Sequence, residues 1–532
     1  METLRLLWRL VRFFTLELPI LLIAVVFGLT LIRDFDLERT LELLTWFGAG
    51  LGAFALLGLI WLLRPRAPNA YGTAHFADRK ALRKAGLHGK GMIIGKKAGR
   101  FIRFSQPGHL LTFAPTRSGK GVSAVIPNLL DHPGSVVVTD IKGENHRITG
   151  AYRNRLGPVL ALAPLNPEVG NATINPLDFI RTGTDYEVDD ARLLAEMIVA
   201  TDGPEPNHWE REARTLITGL LLYIVNALPA ERRNLAELRN LLMCNRAVFD
   251  AHLDNMSECA SSVAARIADG FTQKEDRERA SVISTAQGAT AVFESPHLIR
   301  TTATSSFRFE QLKDGTLSLF IIVPPEYVKA YQPFLRLVVG LATAAMTRNV
   351  TMPAHPVLFL LDELPALGYM RPIEDGIGYL AGYGASLWLF VQDLDQLKQT
   401  YRKWRSMIAN CAVRQAFNVQ DTETAQLISG MLGQRTVKVR SEGHTGRFGR
   451  LGLPSTFSAS RTEAPRPLLS ADEVMLLPGD KALVFVQGCR PILAEKVRYY
   501  AERLFKGRWR PARRKNEHSQ LDLTRQLRLA EK

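Results

Sequence analysis

The sequence predicts an α/β fold in which a phosphate-binding loop follows a short strand. An all-α segment interrupts the sheet, and a two-helix transmembrane hairpin precedes both. Three observations point to it. Two apolar runs, Phe13 to Ile32 and Leu41 to Leu63, lie close together near the amino terminus. A Gly-Lys loop joins an apolar strand to the start of a helix, and two later apolar runs end in carboxylates. Between these, over residues 183–300, apolar side chains recur at helical spacing with no strand pattern among them.

Each of the two N-terminal runs is about 20 residues long, enough to cross a hydrocarbon core. No small-residue cleavage site follows the first, which argues against a removable signal peptide. Glu17 and Glu42 stand near the ends of the runs, where a carboxylate reaches the interface. The link RDFDLERT (33–40) holds two basic and three acidic side chains, whereas the flanks carry Arg5, Arg9, Arg12, Arg64 and Arg66. The positive-inside rule then puts both flanks in the cytoplasm and leaves nearly all of the chain there. The whole chain has 67 Lys and Arg against 52 Asp and Glu, a net charge of +15. Residues 503–532 alone hold ten basic and three acidic side chains. A basic excess facing the cytoplasm suits anionic lipid or nucleic acid. The composition, 46% hydrophobic and 22% charged, excludes disordered and fibrous classes. Four cysteines without CxxC spacing give neither a disulfide scaffold nor a zinc site.

The phosphate loop comes next. The strand His109–Ala114 runs into Pro115, Thr116, Arg117, Ser118, Gly119, Lys120 and Gly121, and then into a helix. Gly119 lets the backbone turn so that N–H groups face a phosphate, Lys120 reaches the β- and γ-phosphates, and the helix start adds its positive dipole end. The sequence departs from G-x-x-x-x-G-K-[ST] twice, with Ala114 at the first glycine and Gly121 where a magnesium-binding hydroxyl is usual. Ser123 is two residues too late to replace it.

Three further apolar runs supply polar partners. Ser135–Thr139 ends at Asp140, Val357–Leu361 at Asp362-Glu363, and Leu387–Val391 at Gln392. Continuous apolar runs suit central strands of a parallel sheet, and groups at their carboxyl ends lie on the ligand-binding edge. Asp362 is placed to hold Mg²⁺ directly or through water, Glu363 to polarise an attacking water, and Gln392 to sense the γ-phosphate.

The remaining segments fit around this sheet. In residues 183–300, Leu194, Ile198, Leu216, Leu220 and Ile224 mark helical faces, and His208-Trp209 reads as a packing anchor. Leu317–Val323 and Lys481–Gln487 return to strand. Ser441–Pro465, rich in Gly, Ser, Thr and Arg, reads as a mobile loop or linker. In the tail, Arg508-Trp509-Arg510 and Arg513-Arg514-Lys515 set an aromatic among cations, a pattern that suits phosphate contact with base stacking and equally anionic headgroups or a partner protein.

The strings PTRSGKG, VVVTDIKGE, LFLLDELPALG and LFVQDLDQL, in that order, resemble the TraG/TrwB coupling proteins of type IV secretion and conjugation. So do the lead-in YGTAHFA (71–77), Trp209–Ala213, Asp421–Ala425 and Arg466–Leu469. The resemblance implies a RecA-like P-loop NTPase domain with an inserted all-α domain, assembled as a homo-hexamer around a channel. It implies ATP and Mg²⁺ as cofactors, Lys120 as the loop lysine, Asp362 as the metal-linked acid, Glu363 as the water-polarising acid and Gln392 as a sensor. Asp140 falls in the family motif on the strand after the loop helix. A trans-acting arginine is expected, with Arg371, Arg402, Arg405 and Arg414 as candidates. The organisation expected is a hairpin at 1–66, a nucleotide-binding domain at 67–182 and 301–502, the insert at 183–300 and a basic tail at 503–532. The function expected is an ATPase in the bacterial inner membrane, two-pass, that passes single-stranded DNA–protein conjugates or effectors to a secretion channel. Its partners would be DNA, relaxase or effector proteins and other secretion components. The alternatives are a nucleotide-assembled effector receptor and an FtsK-like DNA translocase.

Overall fold

The structure is a computed structural model. It describes residues 70–201, 205–445 and 456–510, with scattered helical positions between 38 and 53; the side chains of 441–461 are not described. Residues Ala70–Lys532 form one compact unit, separate from Met1–Asn69. The expected transmembrane runs lie almost wholly outside the described residues. Among the described residues, no helix is long and apolar enough to cross a membrane.

Eleven strands form one sheet. In chain order they are β1 (Met92–Lys97), β2 (Arg100–Phe104), β3 (His109–Phe113), β4 (Val136–Thr139), β5 (Val159–Leu162), β6 (Ser318–Ile321), β7 (Val357–Leu361), β8 (Ala385–Val391) and β9 (Cys411–Ala416). A separate pair, β10 (Gln434–Thr445) and β11 (Thr456–Pro467), follows, and β12 (Lys481–Val486) and β13 (Ile492–Glu495) complete the large sheet. Its spatial order is β2-β1-β13-β12-β9-β3-β8-β7-β4-β6-β5. From β9 to β5 every pairing is parallel, and the other flank, from β12 to β2, is antiparallel.

The parallel strands read as unbroken apolar runs because both faces are covered. Side chains alternate between two cores, as the strand period of two requires. Leu358, Leu360, Trp388 and Phe390 face one core, and Phe359, Leu361, Leu387 and Leu389 the other. Register is also fixed by a buried polar chain across four strands. Trp388 Nε1 donates to Thr112 Oγ1 (2.9 Å), Thr112 Oγ1 to Gln415 Oε1 (3.0 Å), and Gln415 Nε2 to the Ile94 carbonyl (2.7 Å). A slipped strand would leave these groups unpaired in an apolar medium, at about 1–3 kcal/mol each. His109 belongs to the same design: its Nδ1 accepts from the Leu387 N–H (3.0 Å), and burial lowers its pKa to about 4, so it stays neutral.

Between β5 and β6 the chain is helical. Helices Glu187–Ile198, His208–Ala227, Leu235–Met243, Arg246–Ser257, Ser262–Thr272, Asp276–Thr290 and Pro296–Thr302 share the core that holds Phe359 and Leu389. The starts of four of them are signalled in the sequence. Asn207 forms a capping box with Glu210, and Asn234, Asn245 and Ser261 accept from the N–H three residues on. Gly219 lets His208–Ala227 approach Ile267 and Met256 closely.

Two expectations are corrected. Of Ser441–Pro465, expected as a mobile loop or linker, residues 441–445 and 456–465 lie in β10 and β11, paired antiparallel from Gln434↔Pro467 to Thr445↔Thr456, and 446–455 lie outside the described residues. Trp209 is not a packing anchor, because it stands 41% exposed against His208 at the start of its helix. In the tail, the Trp509 ring meets Tyr499 edge-on at 5.3 Å, and the Arg510 N–H donates to the Ile148 carbonyl (3.1 Å). The start of the tail therefore docks on the domain, and Arg513-Arg514-Lys515 lie outside the described residues.

Candidate functional site

β3, β8, β7 and β4 are neighbours, so their carboxyl ends line up along one edge. That edge carries, in order, the loop Pro115–Gly121, then Gln392, then Asp362-Glu363, then Asp140. The loop backbone alternates in the manner that turns successive N–H groups to one side. Arg117 (φ +64°) and Gly119 (φ +86°) are left-handed, with Ser118 between them. At Gly119 the left-handed backbone angle rather than space favours glycine, since a Cβ there would make only an ordinary contact with Ser123 Oγ at 3.7 Å. The chain then enters a π-turn, Gly121–Val125, before helix Ile126–Asp131. Gly121 has open space where a side chain would stand.

Lys120 reaches across to the acids. Its Nζ donates to Glu363 Oε2 (2.9 Å) and to the Asp362 carbonyl (2.7 Å), and lies 3.5 Å from Asp362 Oδ1. Gln392 Nε2 donates to the other Glu363 oxygen at 3.0 Å. β7 is tied to β4 at this point by the Asp362 N–H, which donates to Thr139 Oγ1 (3.0 Å). Lys120, Asp362, Glu363 and Gln392 are thus gathered in one contact set from three strand ends. Burial raises the Asp362 pKa, with the Lys120 charge opposing and the Glu363 charge adding to the rise. Asp140 accepts from the His146 N–H (2.8 Å) at the start of helix Glu144–Arg153. Burial pushes its pKa up to about 6, helix N–H groups pull the other way, and the neighbouring Asp362 charge adds to the rise.

The residues present fit a magnesium nucleotide. Among the described residues, Asp362 Oδ1 is buried and makes no hydrogen bond, and a hard anionic oxygen of that kind suits a hard cation. The two left-handed residues of the loop shape a concavity for phosphate oxygens. Outside this set, Arg371 pairs with Glu196 (3.0 Å) and Asp375 (3.2 Å), and Arg405 lies over the Trp404 ring (4.3 Å). The loop residues Arg117, Ser118 and Gly119 also line a cleft of about 580 Å³, together with Asn418, Lys496 and Tyr500 among others. Its C-terminal residues were not legible as site residues, because nothing local to them in the sequence signals phosphate chemistry.

A parallel sheet with a Gly-Lys loop and paired acids along one carboxyl edge defines the P-loop class of RecA-like fold. The chain belongs to the type IV secretory system conjugative DNA transfer family, whose model matches residues 73–522. It is similar to the conjugal transfer protein TraG of Escherichia coli, 32% identical over 499 residues, covering 82% of this chain and 78% of that one. It is also similar to protein VirD4 of Agrobacterium fabrum, 28% identical over 454 residues, covering 82% and 67%. Among solved structures, the unbound bacterial conjugative coupling protein TrwB matches with a TM-score of 0.62 at 16% identity, over 81% of this chain and 95% of that one. That likeness supports the fold.

Proposed function

We propose that this chain is an ATP-hydrolysing coupling protein that engages single-stranded DNA–protein conjugates or effectors and feeds them to a type IV secretion channel. The observation that carries it is the contact of Lys120 with Glu363 and Asp362, which unites a phosphate loop and two acids from strands far apart in sequence. The TrwB structures similar in fold are described as complexes with ADP and Mg²⁺ and with ATP and GTP analogues, and the relatives are named conjugal transfer and coupling proteins.

In this reading Pro115–Gly121 cradle the phosphates and Lys120 neutralises the outer ones. Asp362 would hold Mg²⁺, whose chemistry there would be to offset charge on the phosphate oxygens. Glu363, steadied by Gln392, accepts a proton from the attacking water. Asp140 supports the helix start beside the metal-linked acid. The protein works as a homo-hexamer in the bacterial inner membrane, anchored by two passes, with residues 70–532 in the cytoplasm. Its contacts to DNA are to the backbone, because a translocase accepts any sequence.

The test is turnover of ATP by the purified protein with and without single-stranded DNA. We expect stimulation by DNA, and loss of both nucleotide binding and turnover in Lys120→Ala. Nucleotide binding without DNA stimulation would favour a receptor assembled by nucleotide, and equal silence of both proteins would sink the nucleotide reading altogether.

A further inference from the structure

The phosphate loop is held by a side chain that the reading above does not use. Lys496 follows β13, and its Nζ donates to the Ser118 carbonyl at 2.8 Å across 378 residues of sequence. The same ammonium also hydrogen-bonds Asn418 Oδ1 and lies 4.8 Å from the centre of the Phe417 ring. Its own backbone is fixed, since the Lys496 N–H donates to the Asp480 carbonyl at 2.7 Å. Asn418 takes a left-handed backbone (φ +48°) that a non-glycine residue adopts at a cost. Burial lowers the Lys496 pKa to about 8 although the Asp480 charge opposes the shift.

The peptide joining Ser118 to Gly119 is trans, so its C=O and N–H point in opposite directions across one rigid plane. Whatever fixes the oxygen on the outer side fixes the N–H on the inner side. The Ser118 hydroxyl is buried and makes no hydrogen bond among the described residues, so it does not do this work. This peptide turns about ψ of Ser118 and φ of Gly119, and Gly119, left-handed and without a Cβ, opposes that rotation little.

We propose that Lys496 is a positioning residue for the phosphate site: its ammonium locks the Ser118–Gly119 peptide so that the Gly119 N–H stays aimed at the phosphates. The proposal rests on the nucleotide reading above. It makes Lys496 a determinant of phosphate affinity that is indifferent to the base, because the contact is to loop backbone. A direct role in holding the nucleoside, which the adjoining cleft and the ring of Tyr500 would permit, makes a different forecast.

The experiment is calorimetric titration of the full chain in detergent with ATP and, separately, with inorganic pyrophosphate. Lys496→Met should weaken both ligands by about tenfold, equivalent to about 1.4 kcal/mol, with the thermal midpoint unchanged. Lys496→Arg, which keeps a donor and the charge, should restore most of the affinity for both. Should Lys496→Met fail to fold, Asn418→Gly keeps the left-handed backbone and removes the second anchor, and it should weaken both ligands by a smaller factor. Unchanged affinities in the variants, or a loss for ATP with pyrophosphate unaffected, overturns the proposal. If the wild type binds neither ligand, the nucleotide reading falls first and takes this inference with it.

Discussion

Glu363 is pinned through both oxygens, by Lys120 on one and Gln392 on the other. A carboxylate held in this way keeps one orientation, and what remains adjustable is its capacity to take a proton. Glu363→Gln preserves size and an acceptor oxygen while removing that capacity. We expect ATP binding to survive and phosphate release to fall by about 100-fold or more, within the range that general-base catalysis contributes; a turnover rate near wild type would remove Glu363 from the chemistry. Asp140 yields a different test, in stability. Burial holds its pKa at about 6, above the ordinary 3.8 of an aspartate. Between these values the native state binds more protons than the unfolded one, so the contribution of Asp140 to stability declines as pH rises through the window and is fully unfavourable above it. Asp140→Asn removes that decline. Urea unfolding should show the variant gaining on the wild type by about 2 kcal/mol between pH 4 and pH 7, and parallel pH profiles would show that the carboxyl is not buried as described.

At the scale of elements, His208–Ala227 owes its close packing to one residue. A Cβ at Gly219 would stand 2.7 Å from Ile267 Cγ2 on a neighbouring helix and closer still to Met256. The methionine end can swing aside, but the branched isoleucine cannot without moving its helix. Overpacking therefore outweighs the gain in helix propensity, and Gly219→Val should destabilise the chain by about 2–3 kcal/mol in chemical denaturation. Such elements were legible because period and caps announce them, as Asn207 and Glu210 do for this helix. Strands β4, β7 and β8 were legible for a related reason: each is an unbroken apolar run that stops at a polar group on the ligand edge. The ribbon β10–β11 was not. Val439 is 47% exposed and both strands carry Arg, Ser and Thr, so the sequence offers no apolar alternation to read. Lys496 escaped for another reason. Its contact is with a carbonyl, and every residue has one, so side-chain identities on either side of the pair carry no signal.

For the unit as a whole, the docking of its C-terminal segment connects the far end of the chain to the phosphate loop. Phe505 is fully buried in a third, smaller core with Ile93, Ile126, Leu130, Ile148 and Tyr499. Ile126 and Leu130 lie on the helix that continues from the loop and its π-turn, so this core supports the element whose start faces the phosphates. The segment is also tied by polar contacts, with Arg508 Nη1 donating to the Leu130 carbonyl (3.2 Å). Phe505→Ala leaves a ring-sized void under that helix, a change that costs about 3–5 kcal/mol in a well-packed interior. The cost should appear as a lower denaturation midpoint. Because the void lies beneath the helix that carries the loop, nucleotide affinity should fall with it. Saturating ATP should in turn recover part of the lost midpoint, since a ligand that binds only the native state stabilises it by mass action. A variant that loses stability while binding ATP as tightly as wild type would show that the small core holds the C-terminal segment in place without shaping the loop it lies behind.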